Sequence, residues 1–258
     1  PESPIEDWMV FLHPDQEELV DQEFSGPARV SGPAGTGKTV VALHRAACLA
    51  GRYAPSPQEQ PILYTTFVAS LTSVLRNLYE RLPQTVADKV HFVHIDGLAR
   101  QICEEANKPV TVLLNRMNSA FNKAFESWKK SEEVQNNPAV GYSDELRETL
   151  CNARYMRTEI DNVIKGCGIT TEADYMPDKL ARRGRQVAFD RNVRKLVWRL
   201  YESYQRNLLL FQTKDYRDQV AAAVQIIESE TKPRYRCVIV DESQDLTFMQ
   251  MRLVAALS

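Results

Sequence analysis

The sequence predicts an α/β fold with a parallel sheet, interrupted by an all-helical insertion. Three observations carry that prediction. Short apolar runs alternate with helix-period segments near both ends of the 258-residue chain. A long central stretch shows helical periodicity alone. A glycine-rich loop, Ser31-Gly32-Pro33-Ala34-Gly35-Thr36-Gly37-Lys38-Thr39, stands between a strand-like and a helix-like segment.

The loop fits the phosphate-binding pattern G-x-x-x-x-G-K-[ST]. Gly32, Gly35 and Gly37 let successive backbone N–H groups turn inward around phosphate oxygens, where a Cβ would obstruct. Thr36 lies within that cradle. Lys38 reaches the terminal phosphates, and the Thr39 hydroxyl takes a place on Mg²⁺. Ala28-Arg29-Val30 reads as the short strand before the loop, and Val40, Leu43 and Ala47 repeat at helical spacing after it. That order matters because the helix N-terminus adds its dipole to an anion site. The loop therefore marks a nucleoside triphosphate site.

The remaining elements follow in order. Pro61-Ile62-Leu63-Tyr64-Thr65-Thr66 is a β-rich run, and Leu71, Val74, Leu75 and Leu78 repeat at helical period. Val90 to Ile95 reads as a buried strand with a helix after Gly97. From Pro109 to Arg206 only helical periods appear: Leu114, Met117, Phe121, Phe125, Trp128; Leu146, Leu150, Ala153; Val193, Leu196, Val197, Leu200, Tyr201, Tyr204. Loops break them at Asn136-Asn137-Pro138 and Gly166-Cys167-Gly168. Asp215 to Ile227 is helix-like, and Tyr235 to Val240 is a continuous apolar strand. The expected division is a core of residues 8–107 and 207–258 around a helical subdomain of residues 108–206.

That last strand runs into Asp241-Glu242-Ser243-Gln244-Asp245. Carboxylates at the carboxyl end of a parallel strand lie where ligands bind in open α/β sheets. Asp241 is placed to hold Mg²⁺, and Glu242 to polarise the water that attacks the γ-phosphate. A solvated acidic turn is the bland alternative, and the phosphate loop argues against it.

Asp-Glu-x-Gln-Asp after such a strand resembles the ATPase motif of UvrD/Rep-type helicases of helicase superfamily one, with Gln244 in the motif. Further segments resemble that family in order. Leu12-His13-Pro14-Asp15-Gln16 is similar to the motif whose glutamine reads adenine. Leu43-His44-Arg45 resembles the helix whose arginine lies near the base. Thr65-Thr66-Phe67 resembles a strand end that touches single-stranded DNA, and His94-Ile95-Asp96-Gly97-Leu98-Ala99 the Thr-Phe-His-Gly-Leu-Ala segment. Asp215-Tyr216-Arg217-Asp218 is similar to the Asp-Phe-x-Asp segment that re-enters the core. The resemblance implies a RecA-like P-loop core, ATP and Mg²⁺ as cofactors, and an ATP-driven helicase or translocase on single-stranded DNA. It implies a second RecA-like lobe in the full-length protein, with the chain from Pro1 to Ser258 expected to be the N-terminal lobe and nearly inactive alone.

Two departures separate this chain from the family pattern. Ala69-Ser70 replaces Asn-Lys, and His94-Ile95 replaces Thr-Phe. A HelD-like member remodelling a transcription complex, with RNA polymerase or a repair complex as partner, is the second reading. A P-loop kinase is a third, but it predicts neither Gln16 nor Asp-Glu-x-Gln.

Composition bounds the partners. Apolar residues are 43% and charged residues 26%, with a formal net charge of −2, which gives no global attraction to nucleic acid. A basic run offers local attraction instead: Arg182, Arg183, Arg185, Arg191, Arg194, Lys195 and Arg199, with the Arg182-Arg183-Gly184-Arg185 loop its best phosphate-binding candidate. The solvated face of an amphipathic helix is the alternative. Trp128, Trp198, Tyr201 and Tyr204 are expected in the core, and Trp8 and Phe11 as a staple for the entry segment. Five dispersed cysteines without zinc spacing suggest reduced, buried thiols in a cytoplasmic protein. No window is long and apolar enough to span a bilayer.

Overall fold

The computed structural model describes residues 12–53, 62–83, 87–135, 143–177, 180, 182 and 184–258. The expected staple at Trp8 and Phe11, the Asn136-Asn137-Pro138 loop and Arg183 lie outside them. The described residues fall into two compact units, those up to Leu98 with Ile227–Leu246 and Val254–Ser258, and those within Ala99–Ile226 with Thr247–Leu253.

The first unit is built on a parallel sheet of β1 (Ile62–Thr66), β2 (Val90–His94) and β3 (Cys237–Asp241), in the order β2-β1-β3. β1 consists of β-formers buried at every position, as its central place requires. Register aligns the strand ends: Thr66 pairs with both His94 and Asp241. Because side chains alternate along a strand, Ile62, Tyr64 and Thr66 share a face.

Helix α1 (Pro14–Asp21) precedes the glycine loop, and α2 (Lys38–Tyr53) follows it. Helix α1 starts on a reciprocal cap between His13 and Gln16, with Pro14 in its first turn. Leu43, Ala46, Ala47 and Ala50 of α2 pack with Ile62, Tyr64 and Phe92. Leu75, Leu78 and Tyr79 of α3 (Leu71–Glu80) complete that layer. The Tyr64 and Phe92 rings stack at 5.0 Å. Helix α4 (Ile95–Glu105) starts directly at the end of β2, earlier than the expected start after Gly97.

The predicted strand Ala28-Arg29-Val30 is absent. These residues are exposed and unpaired in any ladder, with Val30 at 46% exposure. Three residues between Gly26-Pro27 and Ser31-Gly32 are short for a strand, and Pro27 has no N–H to donate.

The second unit is helical. Its longest members are α5 (Leu114–Lys129) and α10 (Arg191–Leu210); between them come α6 (Glu132–Gln135), α7 (Asp144–Cys151), α8 (Ala153–Thr158) and α9 (Glu172–Tyr175). Helices α5 and α10 run antiparallel: Trp128 donates its indole N–H to Leu196 O, and Asn207 its amide to Ala120 O. Phe121, Phe125, Trp128, Trp198 and Tyr204 are buried between them, with Tyr201 packed at the edge, so these aromatics are core. Helix α11 (Tyr216–Glu228) begins in this unit and α12 (Phe248–Ala256) closes the described chain.

The unit boundaries at residues 98 and 227 differ from the expected 107 and 207. Lys165 bonds Asp215 and Asp218 at 2.6 and 2.7 Å, and Cys103 Sγ donates to Gln219 O. Those contacts tie residues on both sides of the expected division to the helical unit. The cysteine expectation is corrected in part: all five are free, but only Cys103 is buried, and Cys151 is exposed.

Candidate nucleotide site

The glycine loop closes on itself ahead of α2. Gly35 and Gly37 hold φ of +79° and +80°, where an L side chain is strained. The Thr36 hydroxyl donates to Pro33 O, and a Cβ on Gly32 would meet that hydroxyl at 2.9 Å. The Lys38 ammonium donates to Gly32 O and Pro33 O at 3.0 and 2.9 Å. Gln16 donates its amide to Thr36 O at 3.0 Å, so α1 abuts the loop. Gln16, Thr36, Gly37 and Lys38 are thus one cluster, drawn from two helices and the loop between them.

Thr39, in the first turn of α2, donates its hydroxyl to Asp241 Oδ2 at 3.0 Å across 202 residues. The Glu242 backbone N–H donates to Asp241 Oδ1 at 3.1 Å. Tyr64 donates its hydroxyl to the same Oδ2 at 3.4 Å. Burial pushes the Asp241 carboxyl above its usual range, and the Glu242 charge adds to that rise against the hydroxyl bonds that oppose it. Burial, followed by the Asp241 charge, holds the Tyr64 hydroxyl well above its ordinary value, so it stays a donor.

Glu242 sits at φ 53°, ψ 45°, a left-handed conformation uncommon outside glycine. It carries the chain from the strand into the turn Ser243–Asp245, and its carbonyl accepts from Asp245 N. The Gln244 amide donates to the Glu242 carboxylate, which fixes a carboxylate beside Asp241.

This donor set fits a nucleotide with a divalent cation. A loop whose φ angles require glycine carries a lysine ammonium, and a hydroxyl–carboxylate pair stands at the adjoining strand end without a cationic partner among the described residues. Thr39 and Asp241 would hold the cation; the loop, Lys38 and Gln16 would hold the nucleotide.

Other expected residues are placed differently. Arg45 donates to Val20 O and Gln22 O at the end of α1 and lies over the Phe24 ring at 5.0 Å. In this conformation it clamps α1 to α2. Thr66, expected to touch a polynucleotide, is 1% exposed, and its hydroxyl has no partner among the described residues. Burial withdraws that side chain from any strand crossing the sheet. Phe67 is 37% exposed, and the half-buried His94 ring packs against Gly97.

The arginine loop is corrected most clearly. Arg182 makes a paired contact with the Glu159 carboxylate at 2.7 and 2.9 Å, and Arg185 a third at 3.0 Å. Both guanidinium side chains are 7% exposed, over a carboxylate that is fully buried. Arg194 is buried and donates to Phe189 O and Tyr175 O, and Arg199 pairs with Glu133. Arg182, Arg185 and Arg194 are therefore satisfied within the helical unit, whereas Arg191 and Lys195 are exposed.

Three functional or structural residues escaped sequence reasoning: Tyr64, Glu159 and Lys165. Tyr64 carried a signal, since it lies two residues before the strand end and so faces the same side as Thr66. Glu159 and Lys165 carried none, because their partners lie 16 to 53 residues away.

A glycine loop entering a helix, with paired carboxylates ending an adjacent parallel strand, defines a P-loop nucleoside triphosphatase of α/β architecture. Comparison with protein families narrows the class: residues 12–258 match the UvrD/REP helicase N-terminal domain. The chain belongs to that family, which carries a helicase-type, ATP-dependent function and a RecA-like core. A search of curated proteins gave no match.

Proposed function

We propose that this chain is the ATP-binding lobe of a helicase or translocase that couples ATP hydrolysis to movement on single-stranded DNA, working against a second RecA-like lobe of the full-length protein. The observation that carries the reading is the Thr39–Asp241 hydrogen bond, which brings the end of the glycine loop to the carboxylate strand.

In this reading Lys38 leaves the carbonyls of Gly32 and Pro33 for the β- and γ-phosphates. Those loop bonds supply a resting place of similar polarity. Gln16 turns from Thr36 O to the adenine edge. Glu242, held by Gln244, accepts a proton from the attacking water as it approaches the γ-phosphorus. Mg²⁺ neutralises charge on the phosphate oxygens when bound. Asp241 and Thr39 would hold it, and the hydrogen bonds to Asp241 fix the orientation of that carboxylate. In this reading Phe67 and His94, beside the strand ends, would meet the nucleic-acid strand.

A second reading, an ATP-driven remodeller of a transcription or other protein–nucleic acid complex, draws on the burial of Thr66 and the internal pairing of Arg182 and Arg185. Both reduce the polar groups free to meet a strand. Steady-state ATPase of the full-length protein, with and without single-stranded DNA and RNA, separates the two. Stimulation by single-stranded DNA, with turnover lost in Lys38→Ala, is expected. Turnover blind to polynucleotide would favour the remodeller, and undiminished turnover in Lys38→Ala would refute the nucleotide site.

A further inference from the structure

Tyr64 is an anomaly at the sheet centre. It is 1% exposed on the apolar face of β1, where Ile62 and Phe92 show that a hydrocarbon side chain suffices. Its ring meets that demand by stacking on Phe92. Its hydroxyl is polar and buried, and the partner it finds is the carboxylate of Asp241 at 3.4 Å.

The three donors divide the carboxylate between them. Glu242 N–H holds Oδ1, while the Thr39 and Tyr64 hydroxyls both reach Oδ2. Thr39 approaches from α2, so donating its proton leaves its lone pairs free for a cation. Tyr64 approaches from within the sheet at 1% exposure, so its oxygen is not offered to a ligand from solvent. The terminal torsion of an aspartate is broad, so an unheld carboxylate turns easily.

We propose that Tyr64 is a positioning residue for the divalent cation: its hydroxyl locks the Asp241 carboxylate so that Thr39 and Asp241 present a preformed pair to the metal that accompanies the nucleotide. This rests on the proposed nucleotide site. Tyr64 touches neither metal nor nucleotide and acts through Asp241.

The test is metal dependence of nucleotide binding by the full-length protein. Affinity for a fluorescent ATP analogue is measured across a Mg²⁺ titration for the parent, Tyr64→Phe and Asp241→Asn, alongside thermal unfolding. Tyr64→Phe keeps the ring and its stack. Losing one hydrogen bond of 3.4 Å to a charged acceptor should raise the half-saturating Mg²⁺ by about three- to tenfold. Affinity in the absence of metal should stay unchanged, and Mn²⁺ should show the same loss by paramagnetic resonance. A Mg²⁺ midpoint within twofold of the parent overturns the proposal if Asp241→Asn shifts it, and so does a fall in unfolding temperature with no change in metal dependence. If Asp241→Asn also leaves the midpoint unmoved, the metal-site reading fails and takes the Tyr64 role with it.

Discussion

Asp215 and Asp241 are both buried aspartates, 1% and 9% exposed, yet their surroundings treat charge in opposite ways. Asp215 receives the Lys165 ammonium at 2.6 Å and the Tyr204 hydroxyl at 3.0 Å. Burial alone would raise its carboxyl, but the Lys165 charge and hydrogen bond outweigh that and hold it below the ordinary value. Asp241 receives two hydroxyls and a backbone N–H and no cation among the described residues, and burial leaves its carboxyl raised. A buried charge neutralised internally belongs to the architecture. A buried charge left short of a counter-ion at a strand end is held ready for a ligand. The Glu159 site, with Arg182 and Arg185 closed around it, is of the first kind.

The largest effect should come from breaking the internally paired side. Lys165→Met takes the ammonium from the buried Asp215 carboxylate, leaving only the charge of Arg157 to act on it, and strips Asp218 of that same ammonium. The expected loss is about 3–5 kcal/mol in urea unfolding. A loss under about 1 kcal/mol would mean that the network contributes little.

Acid should sharpen the contrast. Asp215 has a depressed folded value, so the stability it supplies is present above the unfolded aspartate value of about 3.9 and is lost as pH falls through the lower folded value. The stability gap between the parent and Lys165→Met should therefore be widest near neutrality and close below about pH 4. A gap constant from pH 7 to pH 3 would show that the pairing is not its source.

The smallest effect belongs to exposed charge. Arg199 and Glu133 pair with side chains 53% and 56% exposed. Glu133→Ala should change stability by under about 1 kcal/mol, because solvent and salt screen such a pair.

How much of this was legible beforehand follows the same division. The phosphate loop, Thr39 and the Asp241-Glu242 pair were readable because each is a local pattern, fixed by backbone conformation or by its place at a strand end. The helical character of residues 114–129 and 191–210 was readable from a 3.6-residue period. The strand at Ala28–Val30 was misread because β-propensity is decided by a pairing partner, which three residues can suggest but not supply. The arginine loop was misread because a cluster of cations looks the same in sequence whether or not a buried carboxylate waits for it. Glu159 lies in a wide helical turn, Glu159–Ile164, with no charge pattern linking it to Arg182 and Arg185. Tyr64 hid inside a strand where an aromatic residue is ordinary.

The buried Asp241 carboxyl, raised by burial, costs the fold stability while it is ionised, and a metal-bound nucleotide would offset that cost. A carboxyl with a raised folded value is penalised while ionised, and the penalty is relieved only as pH falls toward its unfolded value. Asp241→Asn removes that penalty at neutral pH and removes the carboxylate that would face the metal in the proposed site. The direct measurement is thermal unfolding of the parent and Asp241→Asn at pH 7, with and without MgATP. Asp241→Asn should unfold at the same or a higher temperature without ligand and lose the rise that MgATP gives the parent. A variant that melts lower without ligand and keeps the full MgATP rise would contradict the account.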